Sequence, residues 1–179
     1  MNKGFTIIET LVAIAIMMIA IAGPLTIASQ ALNAAVNAKN IMVASNLAEE
    51  GMEYLKNIKD NNIATAASDW LYGITDDGRA LCAGSSNDCT IPAIENDQPF
   101  QTAITSCGGT DGCMLYLNPA TGYQYSDSGG TLTPFRRSFY ITPVPGTTEE
   151  MIVTVNVSWT QGTVSNEVQL SELMTSTPR

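Results

Sequence analysis

The chain has 179 residues, enough for one anchoring helix and one folded domain. It is acidic, with 8 Lys and Arg against 17 Asp and Glu and a formal net charge of −9, which excludes a general nucleic-acid-binding surface while leaving room for a local basic patch. It contains no histidine, so imidazole-dependent zinc sites and catalytic triads have no donor here.

The first four residues, Met1 to Gly4, carry one cation, Lys3, and run into Phe5-Thr6-Ile7-Ile8-Glu9-Thr10-Leu11 and on through an Ile-, Ala- and Met-rich stretch. After Glu9 the next charged residue is Lys39. That stretch exceeds the ~20 apolar residues a helix needs to cross a bilayer core of roughly 30 Å, so it predicts a membrane-inserting helix. Glu9 is its one anomaly, because an acid near the centre of a spanning helix costs roughly 3 kcal/mol. A carboxylate kept there calls for a partner. A secretory signal peptide is a poor fit: Ala20-Ile21-Ala22 offers an A-x-A site, but no polar segment precedes it and Glu9 interrupts the apolar region. A plain single-span anchor leaves Glu9 without a reason, and a buried core helix would show one apolar stripe rather than apolar residues all round.

The residues Gly4-Phe5-Thr6-Ile7-Ile8-Glu9, behind a short basic leader and ahead of the apolar run, resemble the processing site of type IV pilins and pseudopilins. The resemblance implies cleavage between Gly4 and Phe5 by a prepilin peptidase, N-methylation of Phe5 by the same peptidase/methyltransferase, and assembly with other pilin subunits at an inner-membrane platform. It also implies a role for Glu9 in assembly, as the partner of the new Phe5 α-ammonium on a neighbouring subunit. A carboxylate capping its own helix through the macrodipole is compatible with this and is worth less than about 1 kcal/mol. Lys3 on the short flank places the N-terminus in the cytoplasm by the positive-inside rule. The expected location is the cytoplasmic membrane as a single-pass protein, and afterwards an extracellular pilus or periplasmic pseudopilus.

Gly23-Pro24 falls inside the predicted helix, where proline removes the hydrogen bond to the Ala20 carbonyl and predicts a kink or melted turn. In pilins a helix breaker near this point is associated with local unwinding in the filament, and Pro24 resembles it. Beyond it, Ile41, Ala44, Ala48, Gly51 or Met52, Leu55 and Ile58 recur at helical spacing, with Glu49, Glu50, Glu53, Lys56, Lys59 and Asp60 on the other faces. This half therefore has to lie on a soluble partner. A continuous helix from Thr6 to about Asp60 would be about 80 Å long. Asp60-Asn61-Asn62 reads as a polar stop. The segment Leu47 to Leu55 also resembles the matching stretch of PilV-like minor pilins and smaller pseudopilins.

From Ile63 to Gly112 the composition turns to Gly, Ser, Asn, Asp and Thr, which predicts long loops with short strands, and Trp70, Leu71, Tyr72 and Ile74 are expected to cover a sheet. The cysteines are Cys82, Cys89, Cys107 and Cys113. Downstream of a membrane-crossing segment they suggest disulfides in an oxidising compartment, and four cysteines allow three pairings. Cys82 with Cys89 and Cys107 with Cys113 is the favoured set, because each pair brackets a turn-rich loop. Neither the zinc spacing nor a twelve-residue calcium loop is present, and Asp76-Asp77-Gly78, Asp111 and Asp127-Ser128 read as solvated turns, so no metal or cofactor is expected.

The last third is rich in strand signals. Met114 to Leu117 and Tyr123 to Tyr125 flank a turn at Asn118-Pro119-Ala120-Thr121-Gly122, Phe135 to Thr142 follows, and Met151, Val153, Val155, Val157 and Trp159 alternate with polar residues. Gln161-Gly162 turns the chain, and Val164, Val168 and Leu170 continue the apolar face. The expected fold is α+β: a long N-terminal helix whose second half packs on a C-terminal antiparallel sheet. The order Phe135-Arg136-Arg137, the Val-rich strand, the Gly turn and Val168-Gln169-Leu170 again resembles PilV-like minor pilins. The expected parts are a cleaved leader at 1–4, a membrane and filament-core half-helix at 5–30, an amphipathic half at 31–60, a cysteine-bearing connection at 61–113 and the sheet at 114–179.

An enzyme would need a site, yet the chain offers no imidazole, no G-x-S-x-G elbow and no phosphate loop. An anchored binding module would share the domain but would be indifferent to its N-terminus. The reading is therefore a structural filament subunit, most like a minor pilin, with a pseudopilin of a type II secretion or competence system as the alternative.

Overall fold

The computed structural model describes residues 6–65, 69–72, 74, 82–84, 88–91, 104–108, 112–125 and 129–176. Gly4, Phe5 and the aspartates at 76, 77, 111 and 127 lie outside the described residues. The chain divides into two compact units, Met1–Ile41 and Met42–Arg179, and one helix, α1 (Ile7–Ala64), runs through the boundary.

In the first unit α1 opens on Thr6. The Glu9 amide donates to the Thr6 carbonyl at 3.0 Å and to its hydroxyl at 3.4 Å, so Thr6 acts as the N-cap and Glu9 stands in the first turn. Of the kink or melted turn expected at Gly23-Pro24, a melted turn is not present, since both residues lie inside α1. Proline at 24 can delete only the bond from its own missing N–H, and the turns on either side remain hydrogen-bonded, rich in Ile and Ala and helical.

In the second unit α1 buries one stripe: Ala44, Leu47, Ala48, Gly51, Met52, Leu55, Ile58 and Asn62. Ile41 is 44 % exposed, so the buried stripe begins one turn later than its spacing suggests. Asn62 is not a stop signal. The helix passes through it to Ala64, and its buried amide donates sideways to the carbonyls of Trp70 at 3.1 Å and Tyr72 at 2.8 Å, pinning the segment that brings Leu71 and Ile74 into the core.

Five strands form one antiparallel sheet: β1 (Met114–Asn118), β2 (Gly122–Gln124), β3 (Thr131–Pro143), β4 (Glu150–Gln161) and β5 (Val164–Thr175). Their order is β2-β1-β3-β4-β5. Alternation selects the inner face: Val153, Val155, Val157 and Trp159 of β4 stand beside Phe135, Phe139 and Ile141 of β3, and all are buried with the helix stripe in one core. A two-residue loop, Gly162-Thr163, closes the β4–β5 hairpin, with Gly162 at a φ of 63° that side chains rarely adopt.

β3 outlasts its partner β1, and the cysteine segments cover the difference. Cys82 is bonded to Cys89 and Cys107 to Cys113. The Arg137 amide donates to the Cys113 carbonyl, Phe139 and Cys89 exchange two backbone bonds, and the Gly84 amide donates to the Ile141 carbonyl. Thr90 pairs with Thr105 and the Cys107 amide donates to the Asp88 carbonyl, so the two disulfide loops are laddered to each other as well.

Candidate assembly site and the helix seat

The surface of the first unit is the candidate assembly site. Ile7, Met18 and Ile27 are 83, 68 and 69 % exposed, and no part of the most apolar window of the helix is buried within the chain. By length and composition α1 can cross a membrane.

From Thr6 to Ser29 its polar side chains are satisfied internally with one exception. The Thr6 hydroxyl accepts from the Glu9 amide, the Thr10 hydroxyl donates to the Ile7 carbonyl at 2.8 Å, Thr26 to Gly23 at 2.7 Å and Ser29 to Thr26 at 2.9 Å. Such back-bonding lets a hydroxyl enter an apolar medium without an unmet donor. Within that span the Glu9 carboxylate alone has no hydrogen-bond or ion-pair partner among the described residues. What the chain itself offers it is the positive end of the helix macrodipole, worth roughly 0.3–1 kcal/mol. The sequence held a signal for this cap, the spacing Thr6-Ile7-Ile8-Glu9 of a capping box.

In the second unit the sheet seats the helix through a buried arginine. Arg137 shares inward parity with Phe135 and Phe139, and 1 % of its surface is exposed. Its guanidinium donates to the Leu47 carbonyl at 3.2 Å, the Ile91 carbonyl at 3.4 Å and the Tyr125 hydroxyl at 3.2 Å, and it pairs with the half-exposed Glu50 carboxylate at 3.2 Å. The Tyr125 hydroxyl donates to the Arg137 carbonyl and accepts from the Ile91 amide, and the guanidinium carbon lies 5.6 Å from the tyrosine ring centre. Burial pushes the Tyr125 hydroxyl above its ordinary pKa. Burial opposes the Arg137 charge, but the Tyr125 oxygen and Glu50 outweigh it, and the guanidinium pKa is raised. Strand alternation could have predicted this inward charge, because Phe135, Arg137, Phe139 and Ile141 fall on one face.

Arg136, on the opposite face, joins the two disulfide loops: Nε donates to the Gly112 carbonyl at 3.0 Å and Nη1 to the Asp88 carboxylate at 3.1 Å, while Ser138 donates to the same carboxylate. At the far end of the helix seat, Lys56 meets Glu172 at 2.8 Å and Glu53 at 3.2 Å. Its pKa is raised, chiefly by the Glu172 hydrogen bond. Among the described residues no three His, Cys, Asp or Glu side chains converge as a metal site would require.

Residues 1–23 match the prokaryotic N-terminal methylation motif. The match covers the N-terminal end of the chain and supports its resemblance to the type IV pilins and pseudopilins. The long apolar helix followed by an antiparallel sheet matches the expected α+β, pilin-like arrangement. The motif supports processing of the N-terminus, and together with the apolar helix it supports anchoring in a membrane. Motif and fold together point to a structural subunit. Neither the curated proteins nor the solved structures yield a match to the chain.

Proposed function

We propose that this chain is a minor subunit of a type IV pilus, inserted with its N-terminus in the cytoplasm, cut between Gly4 and Phe5, methylated on Phe5 and set in register by Glu9. One observation carries the reading: from Thr6 to Ser29, Glu9 is the single polar residue whose side chain makes no hydrogen bond or ion pair among the described residues. Cleavage before Phe5 creates an α-ammonium. In a bundle of such helices, the ammonium of one subunit and Glu9 of the next would attract by roughly 4 kcal/mol at 4 Å and an effective dielectric near 20, before desolvation. The remaining helix surface is apolar and slides without preference, so this pair fixes the axial register. Gly23-Pro24, one hydrogen bond short, is where the helix would yield inside the bundle. The minor rather than major role is supported by the absence of cysteine after Cys113, since the major pilins this chain resembles commonly close a C-terminal loop with a disulfide.

The test is Glu9→Val in the full chain beside the wild type, with membrane and sheared-filament fractions compared and N-termini read by intact mass. Both chains should begin at N-methyl-Phe5, because the junction is untouched. The variant should stay in the membrane and be depleted from filaments by more than about tenfold, a loss of only ~1.4 kcal/mol. Equal entry into filaments, or a wild-type chain that is uncut or begins at Gly23, overturns the reading.

A further inference from the structure

The sheet guards its backbone unequally. β2, at one edge, is a stub of three residues. The stretch of β3 beyond β1 is covered by Cys113, Cys89 and Gly84 and ends at Pro143, which has no N–H to offer. β5 has none of these protections. It pairs with β4 through twelve successive positions, from Gln161↔Val164 to Glu150↔Thr175, without a bulge. It contains no Pro, Lys or Arg, and among the described residues no strand pairs with its other edge. A regular uncovered edge of that length is a template for an added strand.

A second feature lies beside it. A groove of about 560 Å³ separates the C-terminal end of β5, Glu172 to Thr175, from Lys56, Lys59 and Ile63 of α1. The helix therefore faces the C-terminal end of this strand across the groove. Glu172, whose inward charge would otherwise discourage pairing there, is held by Lys56. On the outer face Leu173 is 47 % exposed, beside Ile152 at 38 %, and a neighbouring strand would shield both.

We propose that the edge of β5 from Val164 to Met174 receives an extended strand of a different filament subunit, one that carries lysine or arginine among apolar residues. Backbone hydrogen bonding restricts the occupant to an extended chain, and charge selects its kind. Around this edge Asp60, Glu150, Glu167 and Glu172 outnumber Lys56 and Lys59, and the whole chain stands at −9, so a second copy would bring like charge. The proposal rests on the subunit reading only for the origin of the strand, and its failure would leave processing at Gly4 and the Glu9 test untouched.

The experiment uses the full chain in detergent micelles and two synthetic peptides of about eight residues, each alternating Val and Thr, one with lysine at both ends and one with glutamate. Amide exchange is mapped by mass spectrometry. The lysine peptide should slow exchange across residues 164–174 by about tenfold and the glutamate peptide by much less. In Glu167→Lys, a change at an exposed site that evens the charge around the edge, the gap between the two peptides should largely close. The proposal is overturned if β5 is not protected, if protection falls only elsewhere, if the two peptides act equally on the wild type, or if Glu167→Lys leaves the gap between them unchanged. Protection of β5 that grows with protein concentration in the absence of peptide would make the occupant a second copy, and overturns it as well.

Discussion

The two halves of one helix behave as different materials. Before Ile41 every described side chain except Asn37 and Asn40 is exposed and most are apolar; after Met42 a narrow stripe is buried and the charged side chains stand outside it. Gly23 and Gly51 condense the difference. A Cβ added at Gly23 would meet nothing within 4 Å, whereas one at Gly51 would meet Ile91 Cδ1 at 2.7 Å and Val155 Cγ1 at 3.3 Å. The same residue type is thus a loose joint in one half and a close approach of helix to sheet in the other. The first half is built to be covered by something outside the chain, and the second is already covered by its own sheet.

The strongest way to break the second half is to remove the charge that seats it. Arg137→Ala leaves the Ile91 carbonyl without that donor, the Tyr125 hydroxyl without its Nε bond and an empty core volume, and should cost about 3–5 kcal/mol in denaturant unfolding of the domain. Arg137→Met keeps the volume without a charge and should cost clearly less. A loss smaller than about 1 kcal/mol in Arg137→Ala would mean that the guanidinium only fills space.

Opening the Cys82–Cys89 loop by Cys82→Ser with Cys89→Ser comes next, at about 2 kcal/mol for a closed span of 7 residues. Amide exchange should rise first at Phe139 and Ile141, whose strand this loop covers, and not at β5. Uniform loosening of the sheet would contradict that placement.

The glycines sharpen the comparison further. Gly51→Val should destabilise by about 1–3 kcal/mol, because Ile91 and Val155 have to move. Gly51→Ala should be nearly neutral, since the nearest atom is the end of a flexible side chain and alanine favours the helix by ~1 kcal/mol. Gly23→Ala should only gain, by up to ~1 kcal/mol of local helix stability, seen as slower exchange of the neighbouring amides in micelles.

The smallest effect is on pH dependence. Tyr125 has a folded-state pKa above its unfolded value of about 10, so the stability it contributes is complete below that pH and is lost as pH rises towards the folded value. Lys56, also raised, acts in the same direction. Unfolding free energy should therefore fall on the alkaline side of about pH 10, and Tyr125→Phe should flatten that slope while lowering stability at neutral pH. An unchanged slope would remove Tyr125 from the account.

Legibility varied with how local the cause was. The strands were readable because Val153, Val155, Val157 and Trp159 alternate, and period two needs no knowledge of the partner. The helix stripe was readable for the same reason, but its last member was not. Asn62 looks like punctuation until the carbonyls of Trp70 and Tyr72 arrive beside it. Pro24 was readable as a local cost, but the continuation of the helix on both sides of it was not.

By itself the sequence determined what depends on neighbours a few residues away: a helix apolar enough for a membrane, the lone carboxylate Glu9 behind a methylation motif, an amphipathic continuation and alternating strands. Only the tertiary structure decided that Arg137 enters the core, that Arg136 joins two disulfide loops lying on β3, that Gly51 is where helix meets sheet, and that β5 is left with a bare edge. The reason is physical. Periodicity records which face of an element is apolar, whereas the partner of a buried charge or a strand edge is chosen by residues tens of positions away, through contacts that leave no period in the chain.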